Sequence, residues 1–215
     1  MVLKNYFASV VFLVITFAVN SQNPNRQFLG FTSTPETIRI QTNEGQYEIS
    51  AYNQLTIETS FIPNDEQKNA VSHAVVHAVK SGLLSTLDAG NKLIISTSKM
   101  RVEITKSPFQ ISYFLGNKLL SSEKIGYTKI DKGEAIEFNL SPDEIVYGGG
   151  ARALGMNRRG NRLTLYNKAH YGYENKSELM NYTLPIVFSS EKYLIHIDNA
   201  PIGTLDLDSK HNNTL

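Results

Sequence analysis

The sequence contains no cysteine among its 215 residues, which excludes thiolate catalysis, thiolate metal sites and disulfide bonds. It also lacks an excess of charge of one sign, because its formal net charge is only +1. A nucleic-acid-binding domain usually carries a basic stripe, so we expect no nucleic-acid partner. Hydrophobic residues make up 41% of the chain, which is enough for one globular domain with a real core.

Long apolar runs are also missing after the first residues, so the mature chain is expected to make no membrane contact. Residues 1–21 have the character of a secretory signal: Lys4 supplies the positive start, and Tyr6 to Val19 is largely apolar. That run is about fourteen residues long, too short for a comfortable membrane span. Cleavage before Gln22 would leave residues 22–215 as a secreted or periplasmic domain; an uncleaved N-terminal anchor is the alternative.

Short alternating runs with Asn and Gly turns between them predict an all-β fold, an antiparallel β-sandwich. The predicted strands share apolar residues at every second position. They are Thr37 to Thr42, Gln46 to Ala51, Leu55 to Ile62, Lys92 to Thr97, Met100 to Thr105, Phe109 to Leu115, Ala135 to Leu140, Arg162 to Tyr166 and Thr183 to Ser189. Gln22 to Glu36 is expected to be an irregular lead-in, and Gly116 and Asn117 form a hairpin signal.

The segment from Glu66 to Leu87 is ambiguous between a helix and a strand. In a helix, His73 and His77 would lie one turn apart on one face, an arrangement that can bind zinc. Ala74 stands where the zinc-protease motif has glutamate, so we predict no metal site. The interpretation as a strand is favoured, with two partly exposed histidines.

The most informative stretch runs from Tyr147 to Ser190. Three glycines, Gly148 to Gly150, follow a short apolar run, and glycine allows backbone angles and close approaches that other residues do not. They lack the GK[ST] ending of a phosphate-binding loop. A polar loop, Asn167 to Tyr182, then joins two predicted strands and carries several tyrosines. Such a loop is longer than hairpin closure requires, and long loops often carry function.

This stretch resembles the end of the N-terminal, galactose mutarotase-like β-sandwich domain of glycoside hydrolase family 31, the α-glucosidases and α-xylosidases. The matching residues are a tyrosine and glycine run, arginines, and an aromatic residue followed by asparagine: Tyr147, Gly148, Gly149, Gly150, Arg152, Arg158, Arg159, Gly160, Tyr166 and Asn167. The run Tyr193 to Gly203 resembles the strand that closes this domain.

The resemblance implies where catalysis takes place. Retaining glycosidases use two carboxyl groups about 5–5.5 Å apart. In this family both are aspartates on a (β/α)₈ barrel that follows the sandwich, and the βαβ alternation of a barrel is absent here. We therefore expect no catalytic residue, metal or cofactor in this chain, which has the character of a fragment. The expected partners are a C-terminal (β/α)₈ barrel domain and a carbohydrate substrate.

The resemblance also implies a site, because in the family the loop after the aromatic–Asn pair helps to line the sugar subsite. The candidate substrate-binding residues are Asn167, His170, Tyr171 and Tyr173. Tyrosine suits sugars because its ring covers the C–H face while its hydroxyl bonds the rim. Ala169 departs from the Asp of some members, and Ala151 departs from a common Glu. The alternative is that these rings pack beneath the loop.

Two questions stay open at this point. Arg158 and Arg159 either clamp a carboxylate of a neighbouring domain or form a solvated turn. The leading function is the N-terminal domain of an exported α-glycosidase acting on α-linked glucosides or xylosides. The alternative is a stand-alone carbohydrate-binding module. An aldose epimerase-like enzyme is a third possibility, but no histidine is paired with a carboxylate in the sequence pattern.

Overall fold

A computed structural model describes residues 23–68, 72, 74–131, 133–177, 180–198 and 202–215. These residues contain fifteen strands and no helix. The strands are β1 (Phe28–Ser33), β2 (Thr37–Thr42), β3 (Gly45–Asn53), β4 (Thr56–Pro63), β5 (Ser85–Ala89), β6 (Lys92–Ser96), β7 (Met100–Lys106), β8 (Phe109–Leu115), β9 (Lys118–Ile130), β10 (Gly133–Asn139), β11 (Val146–Gly148), β12 (Asn161–Leu165), β13 (Ile186–Ser189), β14 (Leu194–His196) and β15 (Gly203–Leu207).

Two antiparallel sheets form the main sandwich. One has the order β1-β2-β3-β4, and the other has the order β10-β9-β8-β7-β6-β5. Each strand pairs with its neighbour along the chain, because short turns lead straight into the next antiparallel strand. The turn at Gly116 and Asn117 joins β8 to β9, where Leu115 pairs with Lys118. The predicted all-β sandwich is therefore confirmed.

Alternating apolar side chains fill the space between the two sheets. In β2, Ile38 and Ile40 are completely buried, and they meet Ile104 and Ile111 from the opposite sheet in one core. Period-two alternation places these side chains on one face of each strand. Burial of each such side chain contributes about 1.5–3 kcal/mol, so this core is the main source of stability.

A second, smaller core follows the sandwich in the chain. It lies between a three-stranded sheet, β11-β13-β14, and a two-stranded sheet, β12-β15. Val146 and Val187 of the first sheet meet Leu163, Leu205 and Leu207 of the second. The predicted strand Thr183 to Ser189 is shorter than expected, because the ladder with β11 begins only at Ile186 in the described structure.

Three parts of the sequence prediction differ from the structure. The lead-in before Glu36 contains a strand, β1, and the unpredicted β9 is thirteen residues long. A strand was favoured from Glu66 to Leu87, and this prediction is wrong for the described residues up to Leu84, where the chain is irregular. The next strand, β5, starts only at Ser85. The physical reason is exposure: Val76 is 90% exposed, so the alternating apolar residues do not build a core face.

The predicted spacing of His73 and His77 is not tested, since His73 lies outside the described residues. His77 is exposed. The described residues contain no cluster of three or more His, Asp or Glu side chains arranged to hold a metal ion. The described residues also contain no helix that is long and apolar enough to cross a membrane.

Candidate functional site

The loop from Asn167 to Tyr182, here called the arm, leaves the second core between β12 and β13. Its described part covers residues 167–177 and 180–182. Tyr171 is 88% exposed and Tyr173 is 49% exposed, so neither ring packs inside the sandwich. His170 is also exposed. All four candidate residues, Asn167 included, are therefore exposed on one loop.

The fourth candidate, Asn167, holds the root of the arm. Its Oδ1 accepts hydrogen bonds from the backbone N–H of Thr183 at 2.7 Å and from the Thr183 hydroxyl at 3.3 Å. Thr183 is buried, so this bond satisfies a donor that has lost contact with water. Asn167 thus joins the two ends of the arm, and its Oδ1 is turned toward the root.

Backbone hydrogen bonds fix the arm further along its length. The N–H of Ala151 donates to the carbonyl of Tyr182 at 3.0 Å, and the N–H of Ala153 donates to the carbonyl of Ser177 at 3.0 Å. A tight turn closes at Ser177, whose hydroxyl accepts from the N–H of Glu174 at 2.9 Å. These contacts continue the β11–β13 ladder outward, so the arm is anchored as an extension of the sheet.

The glycine triplet makes this anchoring possible. A Cβ on Gly148 would lie 2.1 Å from the carbonyl oxygen of Ile186. A Cβ on Gly150 would lie 2.6 Å from the Cα of Thr183, and its φ of +88° favours glycine. The glycines therefore allow the chain to pass directly against β13 and the arm root, which is the close approach that the sequence predicted.

The arginines of the family pattern bind within the chain. Arg152 is buried, and it donates to the carbonyls of Gly149 at 3.2 Å and Thr164 at 2.8 Å. Arg158 donates to the carbonyl of Gly155 at 2.9 Å. These bonds connect the glycine turn to β12 and satisfy backbone carbonyls.

Arg159 is the centre of a network that ties the last residues to the second core. Its Nε donates to Asp208 at 2.8 Å, and its remaining nitrogens donate to Asn213 and to the carbonyls of Ser141, Pro142 and Glu144. Both side chains of the ion pair are largely buried. Arg159 is therefore neither a solvated turn nor a free clamp for another domain.

The carboxylate of this pair is strongly stabilised. Burial raises the pKa of Asp208, but the hydrogen bonds from Arg159 and from the N–H groups of Thr214 and Asn212 outweigh burial. The net result is a pKa below the ordinary value. Asp208 is therefore a buried carboxylate that is held ionised by its partners.

Three other carboxylates in this half of the chain hold structural or solvent-exposed positions. Asp206 accepts from the N–H and hydroxyl of Ser209, each at 2.8 Å. Glu174 and Asp198 are exposed.

The sequence did not point to a buried polar cluster inside the main sandwich. The carboxylate of Glu123 on β9 accepts hydrogen bonds from the hydroxyls of Tyr47 at 3.1 Å and Tyr113 at 3.3 Å. The buried guanidinium of Arg26 donates to the Tyr47 hydroxyl. Burial raises the pKa of Glu123 to about 7, against the lowering effects of Tyr47, Arg26 and Tyr113. The cluster joins both sheets across the core.

The sandwich, its second core and the projecting arm together define a galactose mutarotase-like β-sandwich domain. The chain belongs to the family described as "Glycosyl hydrolase 31 N-terminal galactose mutarotase-like domain", whose profile matches residues 17–206. The family resemblance seen in the sequence is therefore confirmed.

Known proteins similar to this chain are several times longer. Alpha-glucosidase 2 of Bacillus thermoamyloliquefaciens is 22% identical over 187 residues, which cover 86% of this chain and 23% of that protein. A mutant of the Flavobacterium johnsoniae GH31 dextranase, complexed with isomaltotriose, superposes with a TM-score of 0.79 at 20% identity. That match covers 88% of this chain and 24% of the dextranase.

A third relative is the GH31 α-xylosidase of Xanthomonas citri, with a TM-score of 0.61 at 17% identity over 79% of this chain and 19% of that enzyme. The chain thus spans about a quarter or less of the length of the relatives that it matches. Since these relatives are glycosidases, the comparisons favour a glycosidase domain over a stand-alone carbohydrate-binding module.

Proposed function

We propose that this chain is the N-terminal domain of an exported α-glycosidase that acts on α-linked glucosides or xylosides. In this proposal a catalytic (β/α)₈ barrel follows the domain, and the arm reaches the sugar subsite of that barrel. The observation that carries the proposal is the anchored arm with two exposed tyrosines, Tyr171 and Tyr173. Support for the substrate class comes from relatives named as an α-glucosidase, a dextranase and an α-xylosidase.

The geometry of the arm suits a role in positioning sugar. Its root is held by Asn167 and by backbone bonds to Ala151 and Ala153, so the tip has a defined place relative to the sheet. A fixed loop loses less conformational entropy on binding than a free one. Exposed tyrosine rings then offer an apolar face to the C–H groups of a sugar and hydroxyls to its rim.

In this proposal the chemistry is assigned to the barrel that follows the domain. We expect the isolated 215-residue chain to release no product from aryl α-glucosides or α-xylosides. The domain would affect hydrolysis by orienting the sugar, an effect that appears only in the longer protein.

The decisive experiment is kinetics on the longer protein that the gene encodes. We expect Tyr171→Ala to lower kcat/KM on an aryl α-glucoside or α-xyloside by about five- to hundredfold, the cost of a lost sugar contact. Tyr171→Phe would separate the ring from the hydroxyl. Met156→Ala, which removes an exposed side chain outside the arm, is the matched control. Unchanged kcat/KM in Tyr171→Ala and His170→Ala would reject the subsite role.

Export is the remaining part of the proposal. Residues 1–21 lie outside the described structure, so its support is the apolar run behind Lys4 in the sequence. N-terminal sequencing of the protein from its native host should begin at Gln22, and a retained Met1 would contradict cleavage.

A further inference from the structure

The three-stranded sheet β11-β13-β14 has one buried face and one open face. Tyr147, Phe188 and Leu194 lie directly opposite one another across its three strands. Directly opposed residues share a face of an antiparallel sheet, and Ile186 lies on the same face as Phe188 because it is two residues away. These four residues, here called the outer row, point away from Val146 and Val187, which fill the second core.

The outer row leaves large apolar side chains open to water. Phe188 and Leu194 are each 49% exposed, and Tyr147 and Ile186 are half-buried. A single exposed apolar residue is ordinary, but a contiguous row of aromatic and aliphatic side chains marks an interaction surface.

We propose that the outer row is the docking surface for the catalytic domain, an inference that rests on the proposed function. The first argument is length: about three-quarters of each relative lies outside the part that this domain matches, and the matching family is an N-terminal one. The missing chain therefore follows the sandwich in those relatives and needs a surface on it.

The second argument is continuity with the arm. The β11–β13 ladder continues from Gly149 N–H to Ile186 carbonyl at 3.0 Å and then from Ala151 N–H to Tyr182 carbonyl at 3.0 Å. On the other side, Ile197 N–H donates to the carbonyl of Pro185 at 2.9 Å. The outer row and the arm root thus belong to one sheet, so a single domain that meets the arm lies beside the row.

Side-chain footprinting with hydroxyl radicals tests the surface without any substitution. The 215-residue chain and the longer protein encoded by the gene are labelled at the same molar concentration. We expect the labelling rates of Phe188 and Leu194 to fall by about threefold or more in the longer protein, as for residues in an interface. Leu87 is 60% exposed on β5, the edge strand of the six-stranded sheet; it is the control and should label equally in both.

A pair of variants gives an independent measurement. Phe188→Thr replaces one residue that favours strands by another, so the isolated chain should unfold at the same temperature as the wild type. The same change should lower the unfolding temperature of the longer protein, whereas the control Leu87→Thr should lower neither. Equal unfolding temperatures for wild-type and Phe188→Thr longer protein would count against docking.

The outcomes separate this inference from the proposed function. A longer protein that hydrolyses α-glucosides but labels Phe188 as fast as the isolated chain overturns the docking surface alone. Protection of Phe188 in a longer protein that hydrolyses neither α-glucosides nor α-xylosides overturns the proposed function alone. Concentration-dependent protection in the isolated chain would show a second copy on the row and would overturn the inference. A gene that encodes no further domain overturns both.

Discussion

Replacing Glu123 by glutamine should make the sandwich more stable above neutral pH. Burial raises the pKa of Glu123 from its ordinary value of 4.5 to about 7 in the folded chain. A carboxyl group with a raised pKa stabilises the fold while it is protonated, and this contribution is lost as the pH rises through the folded pKa. The unfolded chain gains from ionisation at lower pH than the folded chain does.

The size of the effect follows from the two pKa values. At 1.36 kcal/mol per pH unit, ionisation of Glu123 should remove about 2–3 kcal/mol from the free energy of unfolding between about pH 5 and pH 8. Glutamine has nearly the same shape and carries no charge to desolvate. Its amide oxygen accepts from the Tyr47 hydroxyl, while its amide nitrogen donates to the Tyr113 hydroxyl, which in turn donates to Thr59. Glu123→Gln should therefore remove that part of the pH dependence.

Urea unfolding of the isolated chain at several pH values measures this directly. The wild type and Glu123→Gln should have similar stability near pH 5, and the variant should be about 2–3 kcal/mol more stable near pH 8. Glu36→Gln changes an exposed carboxylate and should follow the wild type at every pH. Parallel curves for the wild type and Glu123→Gln would refute the reasoning, as would a Glu123→Gln chain that is less stable throughout.

Two further predictions concern the second core. Arg159→Ala leaves the buried Asp208 carboxylate without its cation, so it should cost about 3–5 kcal/mol in urea unfolding, while the exposed Arg162→Ala should cost little. Because the pKa of Asp208 is lowered in the folded chain, the ion pair should add its full contribution to the free energy of unfolding at neutral pH. That contribution should be lost as the pH falls through the folded pKa of Asp208. Gly150→Ala should cost about 1–3 kcal/mol through its positive φ and the backbone contact at Thr183, whereas Gly155→Ala, with open space around it, should be tolerated. Equal stability of the Gly150 and Gly155 variants would contradict the close approach.

Regular alternation explains why much of the fold was predictable from sequence. In β2 and β7, apolar and polar residues alternate, and every apolar position of β2 faces the core. The strand β9 was missed because Ser121, Ser122 and Glu123 are buried in succession. A bulge at this point places Gly126 opposite Glu137 and Glu123 opposite Phe138, so the alternation is interrupted.

The candidate site was predictable only in part. The density of tyrosine after the glycine turn located the arm, and the structure places Tyr171 and Tyr173 in solvent. No pattern in the sequence distinguished Asn167, which bonds the arm root, from the residues at the tip. Its partner, Thr183, lies sixteen positions further along the chain, and such a contact depends on the folded path of the arm.

The partner of Arg159 was hidden for the same reason. Asp208 lies 49 positions away, and only the pairing of β12 with β15 brings the two together. Neither residue belongs to a local pattern that predicts an ion pair. The fold shows that Arg159 and Asp208 are buried and paired. Composition cannot show this, because arginine and aspartate are both common on protein surfaces.

The way the arm is anchored bears on protein engineering. Most root contacts use main-chain atoms, namely those of Ala151, Ala153, Ser177 and Tyr182, so they persist whichever side chains the tip carries. Asn167 adds the side-chain bond that closes the loop. Arms of other lengths and sequences can therefore be exchanged as cassettes between the Asn167 and Thr183 junctions while the sandwich stays unaltered. Under the proposed function, such grafts and libraries confined to the tip would give direct access to substrate choice.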